Sequence, residues 1–216
     1  MLSERTRKKR VACIGDSITF GWGLKKREKN SYPAILQRLL GSEYNVKNFG
    51  NSGRCVIKTA KMGKEPRSFH FMKEHKRALN FNPHIVLCNL GINDLLHYNE
   101  KQEQFIPDYK ELLLSYLNLP SKPKVIVWQK LAPVFPGQLF YNSPMIQRIN
   151  NDIYSIVNEL KKEGATIETL DMAAVFSDKE NLFFKDKLHP NQGGVSLIAH
   201  KSFEKVELVI QNTGKI

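Results

Sequence analysis

Acidic residues are scarce in this chain of 216 residues, in which 33 lysines and arginines face only 21 aspartates and glutamates. The resulting net charge of +12 raises the question of a nucleic-acid or anionic partner. However, the chain contains no nucleic-acid-binding motif and no aromatic ladder interleaved with its basic clusters. We therefore expect solvated basic faces and no nucleic-acid partner. An alternative is that the cluster in residues 58–77 attracts an acidic substrate.

Cysteine is also rare, and the three present are Cys13, Cys55 and Cys88. An odd number cannot form a closed set of disulfides, and the spacing is not that of a zinc site. Cys13 and Cys88 fall in apolar runs, where a thiol packs as a small hydrophobe. Cys55 closely follows the polar residues 51–53, but no neighbouring residue marks it as a nucleophile.

Long apolar runs are missing as well. No stretch approaches the ~20 residues that a membrane-spanning helix needs, so we expect no membrane span. The basic first ten residues are followed only by the apolar residues 11–14, which is not the pattern of a signal peptide. The native compartment and the oligomeric state stay open.

Short apolar runs, by contrast, alternate regularly with amphipathic stretches. This βαβα rhythm predicts a mainly parallel sheet with helices on both faces. Since no repeat or linker interrupts it, we expect one domain over residues 1–216, with residues 1–10 as a basic tail or the start of the first strand. The predicted strands are residues 11–14, 44–49, 85–90, 125–128 and 166–170, and the predicted helices are residues 32–40, 68–79, 104–119, 145–162 and 194–210.

Four short polar motifs occupy corresponding points in this pattern. Gly-Asp-Ser (15–17), Asn-Ser-Gly (51–53) and Gly-Ile-Asn-Asp (91–94) follow the first three predicted strands, and Asp-Lys-Leu-His-Pro (186–190) precedes the last predicted helix. Each motif alone is typical of a turn, a helix cap or an exposed pair. Because the carboxyl ends of parallel strands meet at one edge of a sheet, we expect the motifs to converge in a crevice there.

The side chains in these motifs are the ones that ester hydrolysis needs. Ser17 offers a hydroxyl nucleophile, and a spacing of three residues lets Asp186 hold His189 so that the ring Nε2 faces that hydroxyl. A glycine at position 53 permits the backbone N–H to turn toward a ligand. With the Ser17 N–H and the Asn93 amide, this N–H would stabilise an oxyanion. The scheme requires no metal and no cofactor.

At these residues the chain resembles the SGNH hydrolases, also called the GDSL esterase family, over roughly residues 11–200. Ser17, Gly53, Asn93 and His189 fall in the four blocks that give the family its name, and Asp186 falls in its Asp-x-x-His block. The resemblance implies a flavodoxin-like three-layer α/β/α sandwich with a five-stranded parallel sheet in the order 2-1-3-4-5. It also implies a Ser-His-Asp triad, an oxyanion hole of Ser, Gly and Asn, and a supporting role for Asp16.

Less specific stretches resemble bacterial carbohydrate O-acetylesterases of the sialate and xylan type. They favour acetyl as the acyl group, as does the lack of an apolar lid-like insertion. The substrate expected is a small-molecule or oligosaccharide ester. The basic surface would also suit an anionic substrate. The stretches are residues 48–53, 105–109, 120–123 and 131–135.

The loops that follow Gly53 and Asn93 are polar, which suits a sugar, and Arg54 and His97 are the candidate substrate-binding residues. One alternative is a lysophospholipase or acyl thioesterase on the same scaffold. An alternative of another class is a non-catalytic protein that binds polyanions through its basic surface.

Overall fold

A central sheet is built from the apolar runs of the sequence. A computed structural model describes residues 8–130 and 143–212. The strands are β1 (Lys9–Gly15), β2 (Tyr44–Gly50), β3 (Lys61–Met62), β4 (Glu65–Pro66), β5 (Ile85–Asn89), β6 (Lys124–Lys130) and β7 (Ile167–Asp171). The sheet has the order β2-β1-β5-β6-β7, and all of its pairs are parallel. When β3 and β4 are left out and the five strands of this sheet are numbered along the chain, their order in the sheet is 2-1-3-4-5. The predicted fold class is therefore confirmed.

Helices cover both faces of this sheet. The α-helices are α1 (Ser17–Phe20), α2 (Arg27–Asn30), α3 (Tyr32–Leu40), α4 (Lys73–Asn80), α5 (Tyr98–Leu117), α6 (Ser143–Lys162), α7 (Met172–Val175) and α8 (Gln192–Asn212). Helices α3, α7 and α8 share one apolar core, whereas α4, α5 and α6 share the other. None of the helices in residues 8–130 and 143–212 has the length and apolar character to cross a membrane.

Each strand of the sheet contributes side chains to both cores, because successive side chains point to opposite faces of the sheet. In β1, Val11 and Cys13 pack toward α3 and α8, while Ala12 and Ile14 pack toward α4, α5 and α6. Every residue of β5 is buried. Strands covered on both faces read as continuous apolar runs, which is why they were legible in the sequence.

Two helix predictions have wrong boundaries. The helix predicted over residues 68–79 is interrupted at Met72, whose backbone is extended (φ −85°, ψ 147°) and separates a 3₁₀ turn, Phe69–Phe71, from α4. The helix predicted over residues 104–119 corresponds to α5, which begins at Tyr98 and ends at Leu117, with a break in the helical backbone at Lys101 (φ −136°, ψ 25°). By contrast, α3 begins and ends at the predicted residues.

A small antiparallel hairpin, β3 and β4, was not predicted. Both strands are two residues long and exposed, so no apolar period marks them. The hairpin lies within the basic cluster of residues 58–77. Residues 1–7 of the predicted basic tail and the stretch 131–135 lie outside the described residues.

Candidate active site

Ser17 lies in an abrupt turn from β1 into α1. Asp16 caps this helix, and its Oδ1 accepts the backbone N–H of Ile18 at 2.9 Å. Gly15 has no space for a side chain, since a Cβ there would lie 2.6 Å from the carbonyl oxygen of Asn89. The neighbouring strand therefore approaches closely, and Ser17 is held at the carboxyl edge of the sheet, where it is 8% exposed.

The structure brings the imidazole of His189 to this serine across 172 positions of sequence. With its proton on Nδ1, the ring donates to Asp186 Oδ2 at 2.7 Å, and its Nε2 accepts from Ser17 Oγ at 2.8 Å. Asp186 Oδ1 also accepts the backbone N–H groups of Leu188 and His189, each at 3.0 Å. The ring is thus held at both nitrogens in an orientation directed at the hydroxyl.

These same hydrogen bonds keep Asp186 ionised. Burial alone would raise the pKa of its carboxyl, but the hydrogen bonds from the His189 backbone and ring and from the Leu188 N–H outweigh it. The net result is a pKa below the ordinary value for an aspartate. The imidazole therefore keeps a negative partner even in mild acid.

Asn93 lies between the loops that carry Ser17 and Gly53. Its Nδ2 donates to the carbonyl oxygen of Arg54 at 3.2 Å and to Asp16 Oδ2 at 3.4 Å. Gly53 adopts a left-handed backbone (φ +72°), which is strained for other residues. All three predicted oxyanion-hole residues thus belong to loops that meet at the same edge of the sheet.

Asp94 holds this arrangement together, a role that sequence reasoning missed. Its fully buried carboxylate accepts the backbone N–H of Val56 at 2.9 Å and that of Ile57 at 2.8 Å. It thereby ties the segment after Gly53 to the 3₁₀ helix Asn93–Leu96, which begins with Asn93. The sequence does carry one indication of this role: Asp94 directly follows Asn93 in a polar motif that lies between apolar residues.

Asp16 and Asp94 are buried close enough to affect each other. Burial raises the pKa of each carboxyl to about 7, although backbone N–H groups oppose the shift. The charge of Asp16 raises the pKa of Asp94 further. Both carboxyls therefore keep a proton to higher pH than an ordinary aspartate does.

The two candidate substrate-binding residues are placed differently. Arg54 donates to Asn51 Oδ1 at 2.9 Å, to the Pro66 carbonyl oxygen at 2.9 Å and to Glu65 Oε1 at 3.0 Å. Its guanidinium is thus engaged within the protein, and its carbonyl oxygen faces Asn93. His97 ends the 3₁₀ helix of Asn93, and burial together with Lys101 lowers its pKa. Substrate binding by either residue stays a prediction.

Trp22 is a second residue that sequence reasoning missed. Its ring centroid lies 4.2 Å from that of His189, and 47% of the residue is exposed. It follows α1 in a turn, where no periodicity marks it. The tryptophan covers one side of the imidazole and forms part of the rim of the site.

The cysteines do not contribute a nucleophile. All three are buried and unpaired, and burial raises the pKa of the Cys55 thiol, with Asp94 adding to the shift. No group of three or more His, Cys, Asp or Glu within residues 8–130 and 143–212 is arranged to hold a metal ion. The reactive group with a base beside it is therefore the hydroxyl of Ser17.

Comparison with known proteins identifies relatives of the whole domain. The model of the GDSL-like lipase/acylhydrolase family matches residues 13–197. An acetylxylan esterase from Xylanibacter ruminicola is 31% identical over 210 residues, which cover 88% of this chain but 41% of the relative. The chain thus spans less than half the length of that relative.

Solved structures share the fold. A carbohydrate acetylesterase from Sinorhizobium meliloti superposes with a TM-score of 0.72 at 18% identity, covering 94% of this chain and 100% of the other. An aryl esterase from M. smegmatis gives a TM-score of 0.70 at 19% identity, covering 93% and 99%. At such identities the likeness concerns the fold alone.

Proposed function

The chain belongs to the GDSL-like lipase/acylhydrolase family, and we propose that it is a serine esterase that removes short acyl groups, acetyl above all, from carbohydrate. The observation that carries the proposal is the continuous path from Ser17 Oγ through the His189 ring to Asp186, with steps of 2.8 and 2.7 Å. Nucleophile, base and orienting carboxylate at such separations are the requirement for acyl transfer through a serine.

In the first step His189 Nε2 removes the proton from Ser17 Oγ as this oxygen attacks the ester carbonyl. Asp186 keeps the ring proton on Nδ1 and stabilises the imidazolium that forms. Its low pKa supports this role, because a neutral carboxyl would stabilise the positive ring far less. The imidazolium then returns the proton to the leaving alcohol, and an acyl group remains on Ser17.

The negative charge that develops on the carbonyl oxygen needs donors fixed in advance. We assign this role to the N–H groups of Ser17 and Gly53 and to the Asn93 amide. The amide now donates to the Arg54 carbonyl oxygen and to Asp16, at the long distances of 3.2 and 3.4 Å. A hydrogen bond to an anion is shorter and stronger than one to a neutral carbonyl, so the amide would favour the oxyanion over the Arg54 carbonyl oxygen.

Hydrolysis of the acyl-serine completes the cycle. Water enters where the alcohol has left, His189 removes its proton, and the same donors stabilise the second tetrahedral intermediate. The acid leaves, and Ser17 regains its proton from the ring. Every proton transfer in this cycle uses the one imidazole.

The acetyl-carbohydrate assignment rests on the relatives. The match with the acetylxylan esterase supports a short acyl group and a sugar alcohol, although this chain spans 41% of that protein's length. An exposed Trp22 beside His189 also suits a sugar, since aromatic rings pack well against the apolar face of a pyranose.

The test is acetate release from acetylated xylo-oligosaccharides and from p-nitrophenyl acetate. Ser17→Ala should abolish turnover while leaving the fold unchanged by circular dichroism. Ser177→Ala, which changes an exposed serine paired with Asp178, is the matched control and should keep full activity. Full activity in Ser17→Ala would refute the proposal.

A series of p-nitrophenyl esters tests the acyl preference. Rates that fall steeply beyond the shortest acyl groups support an acetylesterase. A maximum at long chains would replace it with the lysophospholipase or thioesterase alternative. Salt-sensitive binding of polyanions without any ester hydrolysis would favour the non-catalytic alternative instead.

A further inference from the structure

The side chain of Arg67 lies directly against Gly53. A Cβ placed on Gly53 would meet Arg67 Nη1 at 2.8 Å and Cζ at 3.6 Å, so the guanidinium covers the face of the glycine that has no side chain. The backbone of Arg67 is fixed on both sides, because its N–H donates to Ala60 O and its carbonyl oxygen accepts from Cys55 N–H, each at 2.9 Å. A half-buried cation is therefore held beside a proposed oxyanion-hole residue.

The charge of Arg67 reaches both loops that flank the site. It opposes the rise in pKa that burial and Asp94 cause at the Cys55 thiol, two residues after Gly53. It also contributes, after burial and Lys101, to the lowered pKa of His97, on the side of Asn93. The positive charge of Arg67 is therefore felt on both sides of Gly53, whereas its direct contact is with Gly53 itself.

The carboxylates in this part of the molecule already have other partners. Glu65 pairs with Arg54 at 3.0 Å, and Glu111 pairs with Lys58. Glu74 accepts the amide of Asn51 at 2.8 Å. These three carboxylates therefore have partners other than Arg67.

Arg67 itself has no such partner. Within residues 8–130 and 143–212, no carboxylate lies within ion-pair distance of its guanidinium, and the side chain's hydrogen bond goes to the thioether of Met62. A thioether is a weak acceptor and carries no charge. Most N–H donors of the guanidinium, whose planar shape matches a carboxylate, are therefore left without a charged partner beside Gly53.

We propose that Arg67 binds a carboxylate carried by the substrate and so selects acidic esters over neutral ones. The inference rests on the proposed esterase function and deepens it. The exposed Lys61 and Lys64 on the adjacent hairpin add a positive field that steers the same anion toward the site. Because these lysines are exposed, they affect the rate at which an anionic substrate meets the protein more than the choice between substrates. The fixed guanidinium of Arg67 discriminates between substrates once they are bound.

Two substrate pairs locate the carboxylate. On the alcohol side, the acetyl ester of methyl glucuronide is compared with that of methyl glucoside. On the acyl side, p-nitrophenyl hemisuccinate is compared with p-nitrophenyl butyrate. For each pair the measured quantity is the ratio of kcat/KM for the acidic member to that for the neutral member.

In the wild-type protein we expect this ratio to favour the acidic member in at least one pair. Arg67→Met should lower the ratio about ten- to a hundredfold, as for the loss of a hydrogen bond to a charged group. Arg67→Lys keeps the charge without the fork and should give an intermediate ratio, which also provides a readout if the Met variant fails to fold. Lys64→Met, a matched loss of one charge on the same hairpin, should change the ratio less than about threefold.

Two results would overturn the inference. One is a wild-type preference for the neutral member in both pairs. The other is a parallel fall of both rates in Arg67→Met with an unchanged ratio, which would make Arg67 a support for Gly53 only. Hydrolysis of p-nitrophenyl acetate separates this failure from that of the proposed function: a protein active on it but without the preference overturns the inference alone, and an inactive protein overturns both.

Discussion

Removing the carboxylate of Asp94 should destabilise the protein severely. Asp94 is fully buried and accepts the N–H groups of Val56 and Ile57, which are buried as well. In Asp94→Ala both donors lose their partner, and at about 1–3 kcal/mol for each unsatisfied buried group the loss is about 2–6 kcal/mol. Since a domain's whole free energy of unfolding is about 5–15 kcal/mol, this change alone brings the protein close to unfolding.

The variant Asp94→Asn separates two contributions of Asp94 to stability, that of its hydrogen-bond acceptor and that of its charge. Asp94→Asn keeps an oxygen for both N–H groups, so its cost should stay below about 2 kcal/mol. The folded pKa of Asp94, about 7, lies above the ~3.9 of an unfolded aspartate. Because the pKa of Asp94 is higher in the folded state, its protonation stabilises the fold fully at a pH below the unfolded pKa. This stabilisation is lost as the pH rises through the folded pKa. Because asparagine does not titrate, the Asn variant should gain stability relative to wild type as pH rises from about 4 to about 7, and the gain should level off above that.

Urea unfolding followed by the fluorescence of the buried Trp128 measures both effects. Glu204→Ala, which removes an exposed carboxylate paired with Lys201, is the control and should stay within about 0.5 kcal/mol of wild type. An Asp94→Ala protein less than 1 kcal/mol below wild type, by the scale of a single unsatisfied donor, would refute the structural role. An Asn variant that loses relative stability as pH rises would refute the direction of the pKa shift.

Three further outcomes test the site. Asn93→Ala should lower kcat about 10²- to 10³-fold, as for other single oxyanion donors, with an unchanged circular dichroism spectrum; full activity would exclude Asn93 from the oxyanion hole. Hydrolysis should fade in acid, because a protonated imidazole cannot accept the Ser17 proton, while Asp186 stays ionised because its pKa is lowered; a plateau of kcat/KM down to about pH 4 would exclude His189 as the base. Gly50→Ala should lower both the thermal midpoint and the activity, since its Cβ would lie 2.2 Å from the backbone nitrogen of Phe20 at the end of α1.

The inner strands of the sheet could be predicted because they are buried on both faces. Residues of β5, for example, are all apolar or small up to Asn89, and every one is buried. The boundaries of α4 and α5 could not be predicted in the same way. The break at Met72 depends on Phe69 entering the core while Phe71 stays exposed, and such a tertiary choice leaves no local period in the sequence.

The chemical groups of the site were predictable, and their contacts were not. Ser17 and His189 could be singled out by residue type and by position relative to the predicted strands. Their separation of 2.8 Å follows from the sheet order, the packing of α8 and the hydrogen bonds of Asp186, none of which is local. The stacking of Trp22 on the imidazole depends on the same long-range packing.

The basic surface shows why residue counts alone misjudge function. From the sequence, Arg54 is a candidate substrate-binding residue, whereas Arg67 is one of the basic residues expected to be solvated. In the structure Arg54 is neutralised by Glu65, whereas Arg67 lies against Gly53 without a carboxylate among the described residues. A cation that neither faces water freely nor has an internal partner is costly to bury, unless a ligand supplies the missing charge. The pairing of each charge, rather than the net charge of +12, is therefore the property that distinguishes a recognition residue from a solvated one.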